Sequence, residues 1–237
     1  MKIVFLQKQS LIEYPGRIST VIFIAGCNFR CPFCYVPDLV LPERFEKIDT
    51  ISEKEVLSFL KERKKFLEAV TLTGGEPTIN EDLPEFIKKV KKLNYLVGLE
   101  TNGSSFKMLK FLINKKWVDY VGMDIKHDLV FEKYNEISGR VFKPEIFENI
   151  KKSIRFLQES KINHDFRTTL MKEFHKKKDV IEICKKIKKA RVYYLQNFKG
   201  KSETISGKKF TPFSKKELAE IVKEGKKYTN IKLRPWI

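Results

Sequence analysis

Apolar residues along this chain fall into two alternating kinds of run. Short runs rich in β-branched or aromatic residues, at 20–24, 69–73, 96–99, 118–123, 165–169 and 192–195, read as strands. Between them, apolar residues three and four apart at 53–66, 83–93, 106–114, 144–159 and 179–188 read as amphipathic helices. Ser52 and Glu55 stand at the head of the first of these with capping-box spacing. Flanking strands are expected at 2–6 and 231–233, with a helix at 214–223 before the latter. Strands that alternate with helices pair in parallel through right-handed crossovers. Six such units are too few to close an eight-unit barrel. The pattern therefore predicts an α/β fold, an open, partial (β/α)6 TIM-like barrel. No repeat, low-complexity tract or linker divides it, so residues 1–237 are expected to form one domain.

Polar and glycine punctuation comes after each strand. Cys27 stands after the first and Gly74-Gly75-Glu76-Pro77 after the second. Glu100-Thr101-Asn102-Gly103 follows the third, Asp124 and Lys126 the fourth. Arg167 and Thr168 lie near the end of the fifth, and Gln196-Asn197-Phe198 follow the sixth. In parallel barrels the C-terminal edge of the strands carries the active site. Six such coincidences on one edge describe a single pocket.

Composition narrows the class. The length of 237 residues suffices for one substantial core. No apolar run approaches the roughly 20 residues that span a bilayer, and there is no hydrophobic leader, so a cytoplasmic enzyme without a membrane partner is expected. The net charge is +18, mostly lysine, but the lysines spread over helix faces as in Lys88-Lys89-Val90-Lys91-Lys92. That reads as a solvated surface. Aromatic-interleaved RNA motifs are missing, so nucleic acid is not the expected partner.

Three of the four cysteines sit in one run, Cys27-Asn28-Phe29-Arg30-Cys31-Pro32-Phe33-Cys34. Four thiolates close an iron–sulfur cluster. Three on a tight loop hold three irons of a [4Fe–4S] cluster and leave the fourth open, as a reactive metal site requires. Disulfides do not suit crowded thiols in a cytoplasmic chain. Zinc would want a fourth ligand at finger-like spacing, and His127, His164 and His175 all lie far from the run. Cys184, in a lysine-rich helical pattern, reads as a small buried hydrophobe.

The C-x3-C-x2-C run with Phe33 before its last cysteine resembles the cluster motif of the radical S-adenosylmethionine (SAM) superfamily. The resemblance implies a [4Fe–4S] cluster on Cys27, Cys31 and Cys34, with the open iron chelated by the amino and carboxylate groups of SAM's methionine. It implies reductive cleavage of SAM to a 5′-deoxyadenosyl radical, with Phe33 beside the adenine. Gly74-Gly75-Glu76 is similar to the superfamily's GGE motif, which implies that backbone carbonyls and Glu76 bind SAM's ammonium. Lys126 would then neutralise the methionine carboxylate, while Glu100 and Asp124 would accept from ribose hydroxyls or hold a small cation. Arg167 would fix SAM's ribose or carboxylate, or a partner's carboxylate, or else form a structural ion pair.

Further strings narrow the resemblance. Tyr14-Pro15-Gly16, the acid followed by Thr101-Asn102-Gly103, and Asp124-Ile125-Lys126 are similar to elements of glycyl-radical-enzyme activases. Nearly the whole chain resembles the compact activating proteins of anaerobic ribonucleoside-triphosphate reductase. It departs from them at Tyr35-Val36, where many have His-Asn. The resemblance implies that the SAM-binding set includes Asn102, that the partner is a large glycyl-radical enzyme, and that a flavodoxin or ferredoxin-type protein supplies the electron. Two other functions stand beside the activase: a stand-alone radical SAM enzyme acting on a small molecule, and a non-catalytic Fe–S or zinc-binding protein. The GGE and Asp-x-Lys elements argue against the last.

Overall fold

The computed structural model describes residues 1–141, 143–199 and 203–234. The strands are β1 (Ile3–Ser10), β2 (Ser19–Ile24), β3 (Ala69–Gly74), β4 (Leu96–Thr101), β5 (Tyr120–Asp124), β6 (Asn163–Leu170), β7 (Tyr193–Asn197) and β8 (Ile231–Leu233). The helices are α1 (Pro37–Val40), α2 (Pro42–Phe45), α3 (Glu53–Glu62), α4 (Leu83–Lys92), α5 (Phe106–Asn114), α6 (Phe131–Ile137), α7 (Pro144–Glu159), α8 (Lys177–Lys186) and α9 (Lys215–Gly225). All six expected core strands form, and so do both flanking ones. The contacts gather into two units. One comprises Met1–Asn28, Val36–Thr101 and Ser105–Val121; the other comprises Phe29–Tyr35, Asn102–Ser104 and the chain from Gly122 onward.

In the first unit β1 runs antiparallel to β2, and β2, β3 and β4 run parallel. Ser19 faces Ala69 and Ile24 faces Gly74, so β2 and β3 end level. Cys27 and Glu76, just beyond those strand ends, therefore leave the sheet on one edge. Val21, Ile22, Ile24, Val70, Leu72, Val97 and Leu99 are all fully buried. A sheet covered on both faces gives such unbroken apolar strands. Helices α3 and α4 bury Val56 and Leu60, and Leu83, Phe86, Ile87 and Val90. The Ser52–Glu55 capping box forms as expected, with Glu55 N–H donating to Ser52 Oγ at 3.2 Å and Ser52 N–H to Glu55 Oε2 at 2.8 Å. Helix α3 stops at Glu62 instead of reaching residue 66. Residues 63–66 are all exposed, and the Arg63 guanidinium lies over the Phe66 ring, so no buried face sustains another turn.

Tyr14-Pro15-Gly16 closes the β1–β2 hairpin. Tyr14 is buried against Ala69, Tyr120 and Leu96, the residues that begin β3, β5 and β4. This string thus plugs the N-terminal end of the strands, opposite the edge that carries Glu76. Its role in this unit is packing.

In the second unit β6, β7 and β8 run parallel, with Arg167 facing Tyr194 and Leu170 facing Asn197. Helix α7 buries Phe147, Ile150, Ile154 and Leu157, and α8 buries Val180, Ile181, Ile183 and Cys184. Cys184 Sγ abuts Gly225 of α9, the place of a small hydrophobe. Helix α6 is not foreshadowed by the apolar pattern, because only Tyr134 and Ile137 of its seven residues are buried.

Much of the basic surface is paired along helix faces. Lys89 meets Glu53, Lys151 meets Glu148, Lys172 meets Glu217, Lys177 meets Glu224 and Lys185 meets Glu182. Exposed pairs of this kind are screened by solvent, so they describe a solvated surface more than a stabilising one. Among the described residues, no helix is long and apolar enough to cross a membrane.

Candidate active site

The first unit contributes a carboxylate next to a cysteine. Gly75 N–H donates to Ile24 O and Glu76 N–H to Gly26 O, each at 2.8 Å, so the Gly74-Gly75-Glu76 stretch lies along the backbone that leads into Cys27. Only glycine permits this approach. Gly74 has φ +121, and a Cβ there would stand 2.3 Å from Ile24 O; one on Gly75 would stand 2.0 Å from Gly26 O. The turn thus sets Glu76 against the start of the cysteine run. The Glu76 side chain is buried, and its Oε1 accepts from Thr78 N–H at 3.1 Å, Thr78 Oγ1 at 2.5 Å and Thr101 Oγ1 at 2.7 Å. Three donors on one oxygen hold the carboxylate in place. Glu100 Oε2 accepts from Thr73 Oγ1 at 2.8 Å on the neighbouring strand.

The second unit carries Cys31, Phe33 and Cys34. Cys34 N–H donates to Cys31 O at 3.0 Å, a tight turn that keeps the two thiols together. The loop is tied down from outside. Arg30 N–H donates to Ser138 O, Ser206 N–H to Pro32 O and Ile205 N–H to Cys34 O. Gly139 takes φ +91 just past α6, where a side chain would strike Arg30 O. Phe33 is buried, with Phe174 at 6.4 Å and Phe210 at 6.5 Å between ring centroids.

Lys126 stands over this loop. Its Nζ lies 6.0 Å from the Phe33 ring centroid and 2.7 Å from Asp124 Oδ2. Burial is the largest influence on its pKa and pulls it down, but the Asp124 carboxylate beside it opposes this, and the net direction is upward. Lys126 is therefore a fixed cation. Burial pushes the Cys31 thiol up to about 12, with Lys126 pulling the other way. A thiol so placed keeps its proton at neutral pH unless a metal ion replaces it, and coordination removes that proton outright. Among the described residues, Cys27, Cys31 and Cys34 form no disulfide. Within this unit, the Cys31 and Cys34 thiols with the Lys126 cation near them suit iron–sulfur coordination beside an anionic ligand.

Arg167 is buried and pairs with Asp165, Nε to Oδ1 at 2.8 Å, its guanidinium filling the space beside Gly122. Asn102 Oδ1 accepts from Ser104 N–H at 2.9 Å and shapes the turn after β4. Asn197 brackets Phe213, donating to its carbonyl at 2.8 Å and accepting from its N–H at 2.9 Å. His127, Asp128 and Asp179 place three potential metal-ligand atoms within 4.8 Å of one another. That cluster already holds the Lys133 ammonium, 3.0 Å from Asp128 and 2.7 Å from Asp179.

Sequence reasoning missed the groups that hold the site residues in place. Thr78 and Thr101 fix Glu76. Tyr134 Oη accepts from Lys126 N–H, and His175 Nε2 contacts Lys126 O. Thr101 was legible inside its string, but nothing in the sequence pairs residue 126 with residues 134 and 175.

The Radical SAM superfamily signature matches residues 21–183. A Methanocaldococcus jannaschii protein provisionally named a glycyl-radical enzyme activating enzyme is 32% identical over 223 residues, covering 92% of this chain and 89% of that protein. A Thermococcus kodakarensis protein provisionally named a GTP 3′,8-cyclase is 30% identical over 138 residues, covering 58% of this chain and 43% of that protein. Among solved structures, Streptococcus suis SuiB bound to precursor peptide SuiA shares the fold, with a TM-score of 0.67 at 18% identity over 91% of this chain and 48% of that one. With the signature spanning most of the chain, this protein belongs to the radical SAM superfamily, and its cofactors are a [4Fe–4S] cluster and SAM.

Proposed function

We propose that this radical SAM enzyme is a glycyl-radical-enzyme activase, a single domain of the cytoplasm whose partner is anaerobic ribonucleoside-triphosphate reductase. One observation carries the reading. The likeness to the M. jannaschii activating enzyme runs almost the full length of both chains, whereas the likeness to the T. kodakarensis cyclase covers less than half of that protein. When bound, cluster and SAM supply a one-electron cleavage of SAM's carbon–sulfur bond, leaving an acceptor for one hydrogen atom; a flavodoxin or ferredoxin-type protein supplies the electron.

The chain's own residues then bind and orient. Cys27, Cys31 and Cys34 hold the iron. Glu76, with the carbonyls of Gly74 and Gly75, receives the methionine ammonium, and Lys126 receives its carboxylate. Asp124, Glu100 and Asn102 accept from or donate to SAM's polar groups. Phe33 lies against the adenine, and Arg167 braces the ribose side while paired with Asp165. Holding the target carbon beside the reacting carbon is the remaining task, and it is one of positioning.

The test tracks the hydrogen atom. Reductase deuterated at its glycine α-carbons, mixed with reduced protein and SAM, is expected to yield 5′-deoxyadenosine carrying one deuterium. If the product stays unlabelled with the reductase, and a small metabolite donates the hydrogen instead, the enzyme acts on a free small molecule.

A further inference from the structure

Lys126 lies just past the end of β5, where the backbone leaves the ladder. Its peptide groups are taken by side chains instead. Its N–H donates to Tyr134 Oη at 3.1 Å, and its carbonyl lies 2.8 Å from His175 Nε2. The neighbours are caught as well. Ile125 N–H donates to Arg167 O at 2.8 Å. Ile125 O accepts from Thr168 Oγ1 at 2.7 Å, and Tyr193 Oη donates to that same hydroxyl at 2.7 Å. On the far side, His127 lies with Nε2 2.8 Å from Phe174 O, its ring stacked on His175 at 5.1 Å and 14°.

These groups are buried: Tyr134 and Tyr193 fully, His127 and His175 nearly so. Apolar residues of similar size would fill the same volume without the cost of desolvating a hydroxyl and an imidazole. The Tyr134 hydroxyl and the His175 imidazole are instead directed at the Lys126 backbone. His175 is suited to this. Its Nδ1 accepts from Met171 N–H at 3.4 Å, which leaves the proton on Nε2 to donate to Lys126 O. Burial, the largest influence, holds its pKa down to about 4, so the neutral donor form persists at neutral pH. A lysine side chain is a flexible stem, and its ammonium is accurately placed only if its α-carbon is.

We infer that Tyr134 and His175 are positioning residues that clamp the Lys126 backbone from its two sides, so that the ammonium meets SAM's methionine carboxylate in a fixed place. The inference rests on the role proposed above for Lys126, and the test separates the two. Cluster-loaded Tyr134→Phe, His175→Leu, His175→Gln and Lys126→Met proteins would be compared for iron content, SAM affinity by equilibrium binding, and amide hydrogen exchange without SAM. Tyr134→Phe is expected to speed exchange at the Lys126 amide and to weaken SAM binding about 5- to 30-fold, the range for one lost hydrogen bond and some lost placement. His175→Leu should weaken SAM similarly, and His175→Gln, which keeps a donor, should recover part of the loss.

If Lys126→Met loses SAM affinity while Tyr134→Phe and His175→Leu bind SAM normally with iron intact, the clamp is refuted and the role of Lys126 stands. If Lys126→Met itself binds SAM normally, the underlying reading fails and takes the clamp with it. Faster exchange spread through β6 and α8, and not centred on Lys126, would show both residues to be general packing groups and would equally overturn the inference.

Discussion

Cys31→Ala is expected to abolish the iron–sulfur chromophore and SAM cleavage, while Cys184→Ala leaves both. Three thiolates on one loop are all the run offers, and losing one leaves two, too few for a cluster that must keep an iron open. Cys31 is the most buried of the three, and Lys126, Cys34 and Asp124 lie near enough to act on its thiol electrostatically. Cys184 lies on α8 with its sulfur against Gly225 of α9. Iron and sulfide content after anaerobic reconstitution, with the visible charge-transfer absorption, gives the answer. Full iron retention in Cys31→Ala, or its collapse in Cys184→Ala, would contradict the ligand assignment.

The next largest effect is expected at Lys126. Lys126→Ala should weaken SAM binding by about 1.5–3 kcal/mol, or roughly 10- to 150-fold, the range for a hydrogen bond to a charged group. The ammonium stays charged, because the Asp124 carboxylate beside it opposes the effect of burial and the net direction of its pKa is upward. Removing it also leaves the Asp124 carboxylate, now 2.7 Å from Nζ, without this cation near an incoming carboxylate. Equilibrium binding of SAM to the cluster-loaded variant is the measurement. Unchanged affinity would refute the role.

The strands were legible because a sheet buried on both faces writes itself as continuous apolar runs, and the site edge because glycine and polar residues cluster where those runs stop. Gly74-Gly75-Glu76 was readable for the same physical reason it works: only glycine lets that turn lie against Ile24 and Gly26. Tyr14-Pro15-Gly16 shows the limit. Its composition announces a turn, but which end of the sheet the turn faces depends on β1 pairing antiparallel with β2, a long-range fact. Asn102 and Asn197 were legible by their positions after strands, but their bonds to Ser104 and Phe213 were not, because they depend on how the following backbone turns back. Helix α6 was invisible because seven residues with two buried ones carry no clear period. Its Tyr134 nevertheless reaches Lys126, and His175 does so from 49 residues away.

Electron paramagnetic resonance of the reduced protein mixed with SAM and the anaerobic reductase tests the central claim most directly. The expected signal is a glycine-centred doublet that appears only with all three components and collapses to a singlet when the glycine α-carbon is deuterated. Continued SAM cleavage with no glycyl signal on the reductase would contradict the assignment as an activase.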